Sequence, residues 1–374
     1  MGSEPRQARL RFEVEKELRK LFSRSTATAE AYGADFSRLW NLAARHVQGG
    51  KLVRPVLLLE TYDAVHSAHS ADLSSPSPHF LFAPGAQHHS EVLTIAAAVE
   101  ALHYAFLLHD DVIDGDFFRR GHQNLIGELV ETPAEEARPG GAQHWAQAGG
   151  ILAGNLLLSA AHQLFARVKV PEEVKVRLLD LLEHTIFETT AGEFTDIGLS
   201  DGIISPDLAT VLTMTRRKTA SYSFELPLRA AVILGGGSLE LENRLSLAGS
   251  HLGLAYQLQD DLLSTFGDAD VHGKDPYSDL REGKQTAIIC FARMTSLWPH
   301  LEADFANPHL SVERAEDLRN YLRECGAEDF VLGLIQEQMT AFYDVLADDE
   351  TQTIPAEVRD VLLALVAQID GRQA

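Results

Sequence analysis

The chain sets long alanine- and leucine-rich runs between short polar stretches, and the spacing inside those runs is helical. "EVLTIAAAVEALHYAFLLHDDV" (Glu91–Val112) is apolar on nearly every face. A segment with no polar face reads as a helix enclosed on most sides. "GGILAGNLLLSAAHQLFARV" (Gly149–Val168) and "LSLAGSHLGLAYQLQDDLL" (Leu245–Leu263) share that character, whereas "EEVKVRLLDLLEHTIFETTAGEFTDI" (Glu172–Ile197) is amphipathic. Alternating runs bounded by turn dipeptides, the mark of strands, are scarce. The pattern predicts an all-α protein of about ten or more helices. Three stretches interrupt it and read as loops. They are "HSAHSADLSSPSPHFLFAPGAQHH" (His66–His89), "ETPAEEARPGGAQ" (Glu131–Gln143) and the charged "GDADVHGKDPYSDLREGKQT" (Gly267–Thr286). No tandem repeat and no compositional shift marks a boundary, so a single helical domain over residues 1–374 is expected.

Composition narrows the partners. Of 374 residues, 45% are hydrophobic, enough for a sizeable core. The formal net charge is −22. Nucleic acid and anionic membrane surfaces are repelled by such a chain, so neither is expected as a partner. An anionic substrate answers to local charge and is not excluded. Cys290 and Cys325 are too few for a disulfide framework and point to a reducing compartment. The N-terminal "MGSEPRQARLRFEVEKELRK" has no apolar signal core. Nowhere do about 18 apolar residues run uninterrupted, so no stable membrane insertion is expected, and a cytoplasmic location follows as the default.

Candidate chemistry begins at "LLHDDVIDGDFFRRGH" (Leu107–His122). If the helix continues to Asp114, Asp110 and Asp114 stand at i and i+4 on one face. Carboxylates so close repel and need a cation to stay ionised together. A few hard oxygen ligands suit Mg²⁺, which takes its remaining ligands from water and substrate phosphates. Arg119 and Arg120 are placed to grip phosphate oxygens bidentately. Alone, the stretch is equally well a solvated acidic helix end followed by a basic turn. A second stretch, "YQLQDDLLSTFGDADVHGKDPYSDLREGK", repeats the design with Asp260 and Asp261 on an apolar helix and Lys274 and Lys284 beyond. Two such pairs argue against a surface accident. With their helices side by side, the pairs would face each other across one cavity and bind a diphosphate from both sides. "GGKLVRP" offers Lys51 and Arg54 at i and i+3, expected on one helical face near a helix start, where N–H groups also attract anions. "TRRKTASYSFELP" offers Lys218 and Thr219. Singly these are more often solvated patches; together they suggest a second anion site.

The motifs "GGKLVRP", "HDDVIDGDFFRRG", "GNLLL", "GEFTDI", "KTASYSFELP", "YQLQDDLL" and "DLREGKQT" occur in that order. In this the chain resembles the polyprenyl synthetase family, the trans-isoprenyl diphosphate synthases, over roughly Leu39–Ile289. The last segment is most similar to actinobacterial members. The resemblance implies the all-α isoprenoid synthase fold, with helices around a deep central cavity, and a homodimer. It implies head-to-tail condensation of isopentenyl diphosphate with an allylic diphosphate, with Mg²⁺, three ions per site, as cofactor. Asp110, Asp114 and Asp260 resemble the metal ligands, with Asp111 and Asp261 as neighbours. Arg119, Lys218, Gln257 and Lys274 resemble contacts to the allylic diphosphate, with Thr219 beside them. Lys51, Arg54, His103 and Arg120 resemble the isopentenyl diphosphate site, and Lys284 a residue closing a loop over it. His103 alone would be read as a core histidine. The expected product is C20, geranylgeranyl diphosphate, with C15 the alternative. Ala105 and Phe106, the fifth and fourth residues before Asp110, match positions that help set the pocket floor, one small and one bulky.

Departures from the family pattern are Ser264 in place of a third aspartate, Asn155 where Asp is common, and His122, Gln123 and Asn124 where "RPT" is common. A class I terpene cyclase would share the fold and metal chemistry but normally lacks the isopentenyl diphosphate set. A non-catalytic partner subunit would be expected to have lost an aspartate pair. An Asp-nucleophile phosphohydrolase usually sits on an α/β sheet, for which strand patterns are missing.

Overall fold

The long apolar runs are helices, and each extends past the segment its pattern marks. A computed structural model of the chain describes residues 3–71, 86–119, 121–131, 138–267, 277–347 and 353–370. Among them are sixteen α-helices, one π-helix and two two-residue strands. In chain order the helices are α1 (Ser3–Ala31), α2 (Ala34–His46), α3 (Val53–Ala71), α4 (Ala86–Ile113), α5 (Leu125–Val130) and α6 (Gly141–Arg167). They continue with α7 (Glu172–Ser200), α8 (Leu208–Thr215), the π-helix (Arg216–Glu225), α9 (Leu226–Leu234) and α10 (Leu239–Phe266). Last come α11 (Ser278–Glu282), α12 (Ala287–Arg293), α13 (Trp298–Leu301), α14 (Val312–Glu324), α15 (Ala327–Ala347) and α16 (Ala356–Asp370). The strands β1 (Phe118–Arg119) and β2 (His122–Gln123) pair antiparallel.

Helices enter all three stretches that the pattern marks as loops. Helix α3 runs through "HSAHSA" to Ala71, because nothing before Pro76 breaks a helix, and α4 begins at Ala86. Helix α6 begins at Gly141, inside the second expected loop, and α11 lies inside the third. Residues 72–85, 132–137 and 268–276 fall outside the described part.

The chain forms two compact units. Unit 1 comprises Met1–Leu182, Pro227–Glu242 and Pro355–Val366; unit 2 comprises Glu183–Leu226, Asn243–Ile354 and Ala367–Ala374. Because each is assembled from separated segments, no single cut in the sequence divides them.

In unit 1, α4 packs against α6, α3 and α1. Ala96, Ala97, Ala98, Ala101 and Ala105 give α4 a thin, fully buried body that its neighbours approach closely. Between His89 and Ile113 it is apolar and long enough to span a membrane, but 78% of its most apolar 18-residue window is buried inside the protein. It is the core helix its all-round apolarity predicts. At Gly154 of α6 an added Cβ would lie 2.4 Å from His109 Nε2. A glycine there lets α6 lie against the turn that carries Asp110.

In unit 2, Leu254, Leu258 and Leu262 of α10 form a core with Ile288, Leu301, Leu318, Leu322 and Val331. Cys290 is buried with Leu199, Val211 and Met214, and burial pushes its thiol up to about 11, so it is inert packing. These layers fix α10, and with it the second aspartate pair.

Candidate active site

The acidic cluster in unit 1 is built at the end of α4. The Asp114 amide donates to the Asp110 carbonyl at 2.8 Å, so helical geometry carries on past Ile113. Asp110 and Asp114 therefore share a face, as the i, i+4 spacing predicts. Asp111 points elsewhere and is buried at 2% exposure. Its carboxylate takes the Arg119 guanidinium, with Nε at 3.0 Å and a second, shorter contact from the terminal nitrogen. The same guanidinium reaches Asp110 Oδ2 at 3.2 Å. Burial pushes the Asp111 carboxyl up to about 6, with Arg119 working in the other direction. Burial also works against the Arg119 charge, but Asp111 and then Asp110 hold its pKa above the ordinary arginine value.

Arg119 reaches α4 because the chain turns back on itself. Arg119 of β1 faces His122 of β2, and Gly121 has a φ of 75°. The Asn124 side-chain Nδ2 donates to the Asp116 carbonyl at 2.8 Å, and its Oδ1 accepts the Gly127 N–H at 2.8 Å, capping α5. His122 and Asn124, departures from the family pattern, are thus parts of the ribbon and cap that present Arg119. Arg120 lies outside the described residues.

The basic set near "GGKLVRP" differs from expectation. Helix α3 begins only at Val53, and Leu52, with a φ of 50°, accepts from the Val56 N–H. Lys51 therefore precedes the helix, and Lys51 and Arg54 do not share a helical face. Lys51 is exposed and Arg54 half-buried in the first turn. His103 is buried, two turns before Asp110 on the same side of α4.

The cluster in unit 2 gathers three elements. Lys218 of the π-helix places Nζ 2.9 Å from Glu193 Oε2 and 2.7 Å from Asp196 Oδ2, both on α7. Thr219 donates to Gln257 Oε1 at 3.1 Å, and Gln257 donates to Asp261 Oδ1 at 2.9 Å. Burial pushes the Asp261 carboxyl up to about 7; the Gln257 bond opposes it, and Asp279, Asp260 and Asp196 add to it. Asp260 is half-buried one residue earlier. Lys284 lies 3.2 Å from Glu282 and 3.8 Å from Asp279. Ser264 is half-buried on α10, and Asn155 is exposed on α6. Lys274 lies outside the described residues.

Glu193 and Asp196 carry no role in the sequence reading, although "GEFTDI" is one of its motifs. Their signal is two carboxylates at i and i+3 in that motif, but only folding shows that Lys218 is their partner. Asp110 and Asp114 in unit 1 and Glu193 in unit 2 each offer a carboxylate of the kind that binds a divalent cation. Ala105 is fully buried and Phe106 half-buried on α4. The Tyr104 hydroxyl is buried, has no hydrogen-bond partner among the described residues, and is pushed up by burial and by Asp111. Tyr104 therefore belongs to the Asp111 side of α4, away from Phe106.

The chain resembles known proteins in both sequence and fold. The chain is 29% identical over 319 residues to the geranylgeranyl diphosphate synthase of Methanosarcina mazei, spanning 84% of this chain and 86% of that one. It is 27% identical over 330 residues to the geranylfarnesyl diphosphate synthase of Aeropyrum pernix, spanning 87% and 91%. Its fold matches a crystal structure of the geranylgeranyl pyrophosphate synthase of Corynebacterium glutamicum complexed with isoprenyl diphosphate and magnesium. That match has a TM-score of 0.81 and 26% identity, over 97% of this chain and 98% of that one. The family model for polyprenyl synthetase matches residues 37–316, and the chain belongs to that family.

Proposed function

We propose that the protein is a short-chain trans-prenyltransferase that condenses isopentenyl diphosphate with allylic diphosphates, with C20 geranylgeranyl diphosphate as its main product. The observation that carries the reading is a repeated arrangement. In each unit an aspartate pair sits on a long apolar helix beside a cation already bracketed by carboxylates, Arg119 in one and Lys218 in the other. The reading requires both pairs to serve one diphosphate, so that the chain acts as one catalytic domain.

The donors fit a hard divalent cation. Asp110 and Asp114, one turn apart on one face, and Asp260 supply only carboxylate oxygens. We assign these residues to Mg²⁺, three ions per site, which when bound supplies a Lewis acid to the leaving diphosphate. Arg119 and Lys218 hold that diphosphate through charge-assisted hydrogen bonds. Asp111 orients Arg119, and Asp261 and Gln257 orient Thr219. Lys51, Arg54, His103 and Arg120 bind isopentenyl diphosphate, Lys274 contacts the allylic diphosphate, and Lys284 closes a loop over the site. The buried body of α4 keeps water from the allylic cation that forms when the diphosphate leaves. The C=C of isopentenyl diphosphate attacks that cation, and the released diphosphate takes the proton.

Phe106 lies one turn before Asp110, about 6 Å deeper along α4, where it would meet the growing tail. Ala105 beside it leaves room, which favours C20 over C15. Labelled isopentenyl diphosphate with separate C5, C10 and C15 primers should yield mainly C20, and Phe106→Ala should lengthen the product. No product from any primer would refute the reading; a C30 or longer wild-type product would refute the chain length; an unchanged Phe106→Ala profile would remove Phe106 from it.

The partner we assign is a second copy of the chain. Trp145, Leu152 and Leu156 form an exposed stripe on α6, and Phe187 and Phe194, each 74% exposed, form one on α7. Stripes of this size on a monomer mark an interface. Sedimentation equilibrium should give twice the mass of the 41.1 kDa chain; a monomer at micromolar concentration would contradict the assignment. A cytoplasmic location fits an enzyme whose substrates are soluble diphosphates, and fractionation of cells would check it.

A further inference from the structure

The segment that carries Lys218 and Thr219 is unusual within unit 2. Arg216–Glu225 is a π-helix ten residues long, far longer than the single turn in which this geometry usually occurs. Two glycines on different helices abut its backbone. A Cβ added to Gly192 of α7 would lie 2.4 Å from the Lys218 nitrogen, 2.8 Å from its Cα and 2.9 Å from the Arg217 carbonyl carbon. A Cβ added to Gly253 of α10 would lie 2.5 Å from Ala220 Cβ and 2.7 Å from Ala220 Cα. No rotamer change relieves contacts with backbone, so a methyl at either position must move the segment itself.

The same short stretch of α7 that admits the Lys218 backbone also holds its ammonium. Gly192 precedes Glu193, and Asp196 lies one turn on; these are the two carboxylates on Lys218 Nζ. Displacing the backbone away from α7 stretches both ion pairs. From the other side, Gln257, one turn after Gly253, accepts from Thr219. Thr189 and Ser221, 3.0 Å apart, tie the next turn of the segment to α7.

We propose that Gly192 and Gly253 are positioning residues that set where the Lys218 ammonium and the Thr219 hydroxyl meet the allylic diphosphate. This rests on the prenyltransferase reading above. The glycines touch no substrate; they fix the depth at which the π-helix sits between α7 and α10, and so specify one of the two substrate affinities.

The test starts with wild-type turnover of isopentenyl and geranyl diphosphates, which probes the prenyltransferase reading by itself. Gly192→Ala and Gly253→Ala are then compared with Gly235→Ala. The Gly235 variant meets Val65 Cγ1 at 2.7 Å, a steric insult confined to unit 1. The first two variants should raise KM for geranyl diphosphate about tenfold or more, the worth of one charge-assisted contact. Their KM for isopentenyl diphosphate should stay within about twofold. Gly235→Ala should lower Tm with both KM values unchanged. If Gly192→Ala does not fold, Gly253→Ala, whose nearest contact is a methyl, carries the same comparison. The proposal is overturned if the variants lower Tm without separating the two KM values, or if neither folds, since a displaced segment and not a lost fold is what it asserts.

Discussion

Asp110→Ala should lower turnover by at least about 10²–10³-fold, the loss that follows removal of one preorganised electrostatic group from a reacting centre. The structure explains why the loss would be catalytic. The Asp110 carbonyl, not its side chain, receives the Asp114 amide, so the last turn of α4 survives the substitution. Arg119 keeps two contacts to the buried Asp111 carboxylate. Asp111→Ala differs: it strips Arg119 of its main partner and leaves the guanidinium only its 3.2 Å contact to Asp110, so it should cost stability as well as activity. Circular dichroism and Tm of Asp110→Ala should match wild type while steady-state turnover in Mg²⁺ collapses. Full activity in EDTA, or an Asp110→Ala enzyme within a few-fold of wild type, would sink the assignment.

The second large effect is expected at Lys218. Lys218→Ala should raise KM for the allylic substrate about ten- to a hundredfold, the value of a charge-assisted hydrogen bond of about 1.5–3 kcal/mol. Two things act together there. The diphosphate loses a cation, and Glu193 and Asp196 lose the ammonium they share, so the approaching anion meets a more negative site. Lys218→Arg, which restores charge without the ammonium's shape, should recover part of the loss. Lys51→Ala and Arg54→Ala should do the reverse, raising KM for isopentenyl diphosphate more than for the allylic primer. Equal effects of both sets on both substrates would show that the two anion sites are not separate.

The sequence alone determined the helical class and marked the candidate residues for the proposed chemistry. A run such as "IAAAVEALHYAFLL" has no face that tolerates water, so it must be a buried helix, whatever surrounds it. The spacing of Asp110 and Asp114 fixes their common face, because the helical repeat is a local property. The order of seven motifs was legible for the same reason: each is a short contiguous string.

What the sequence left open depends on where the backbone departs from the helical repeat and on contacts between distant positions. Lys51 and Arg54 read as helical neighbours, but Leu52 has a φ of 50° and the helix starts at Val53. A positive φ at a leucine has no sequence signal; it is imposed by the structure around it. Likewise, nothing in "TRRKTASYSFELP" announces ten residues of π-helix, whose geometry is held by close packing against Gly192 and Gly253. The roles of Glu193 and Asp196 as the Lys218 cradle, and of Asp111 as the Arg119 anchor, were decided by tertiary structure. An ion pair forms between groups that folding brings within a few ångströms, and in a chain with a net charge of −22 the sequence offers every cation many carboxylates to choose from.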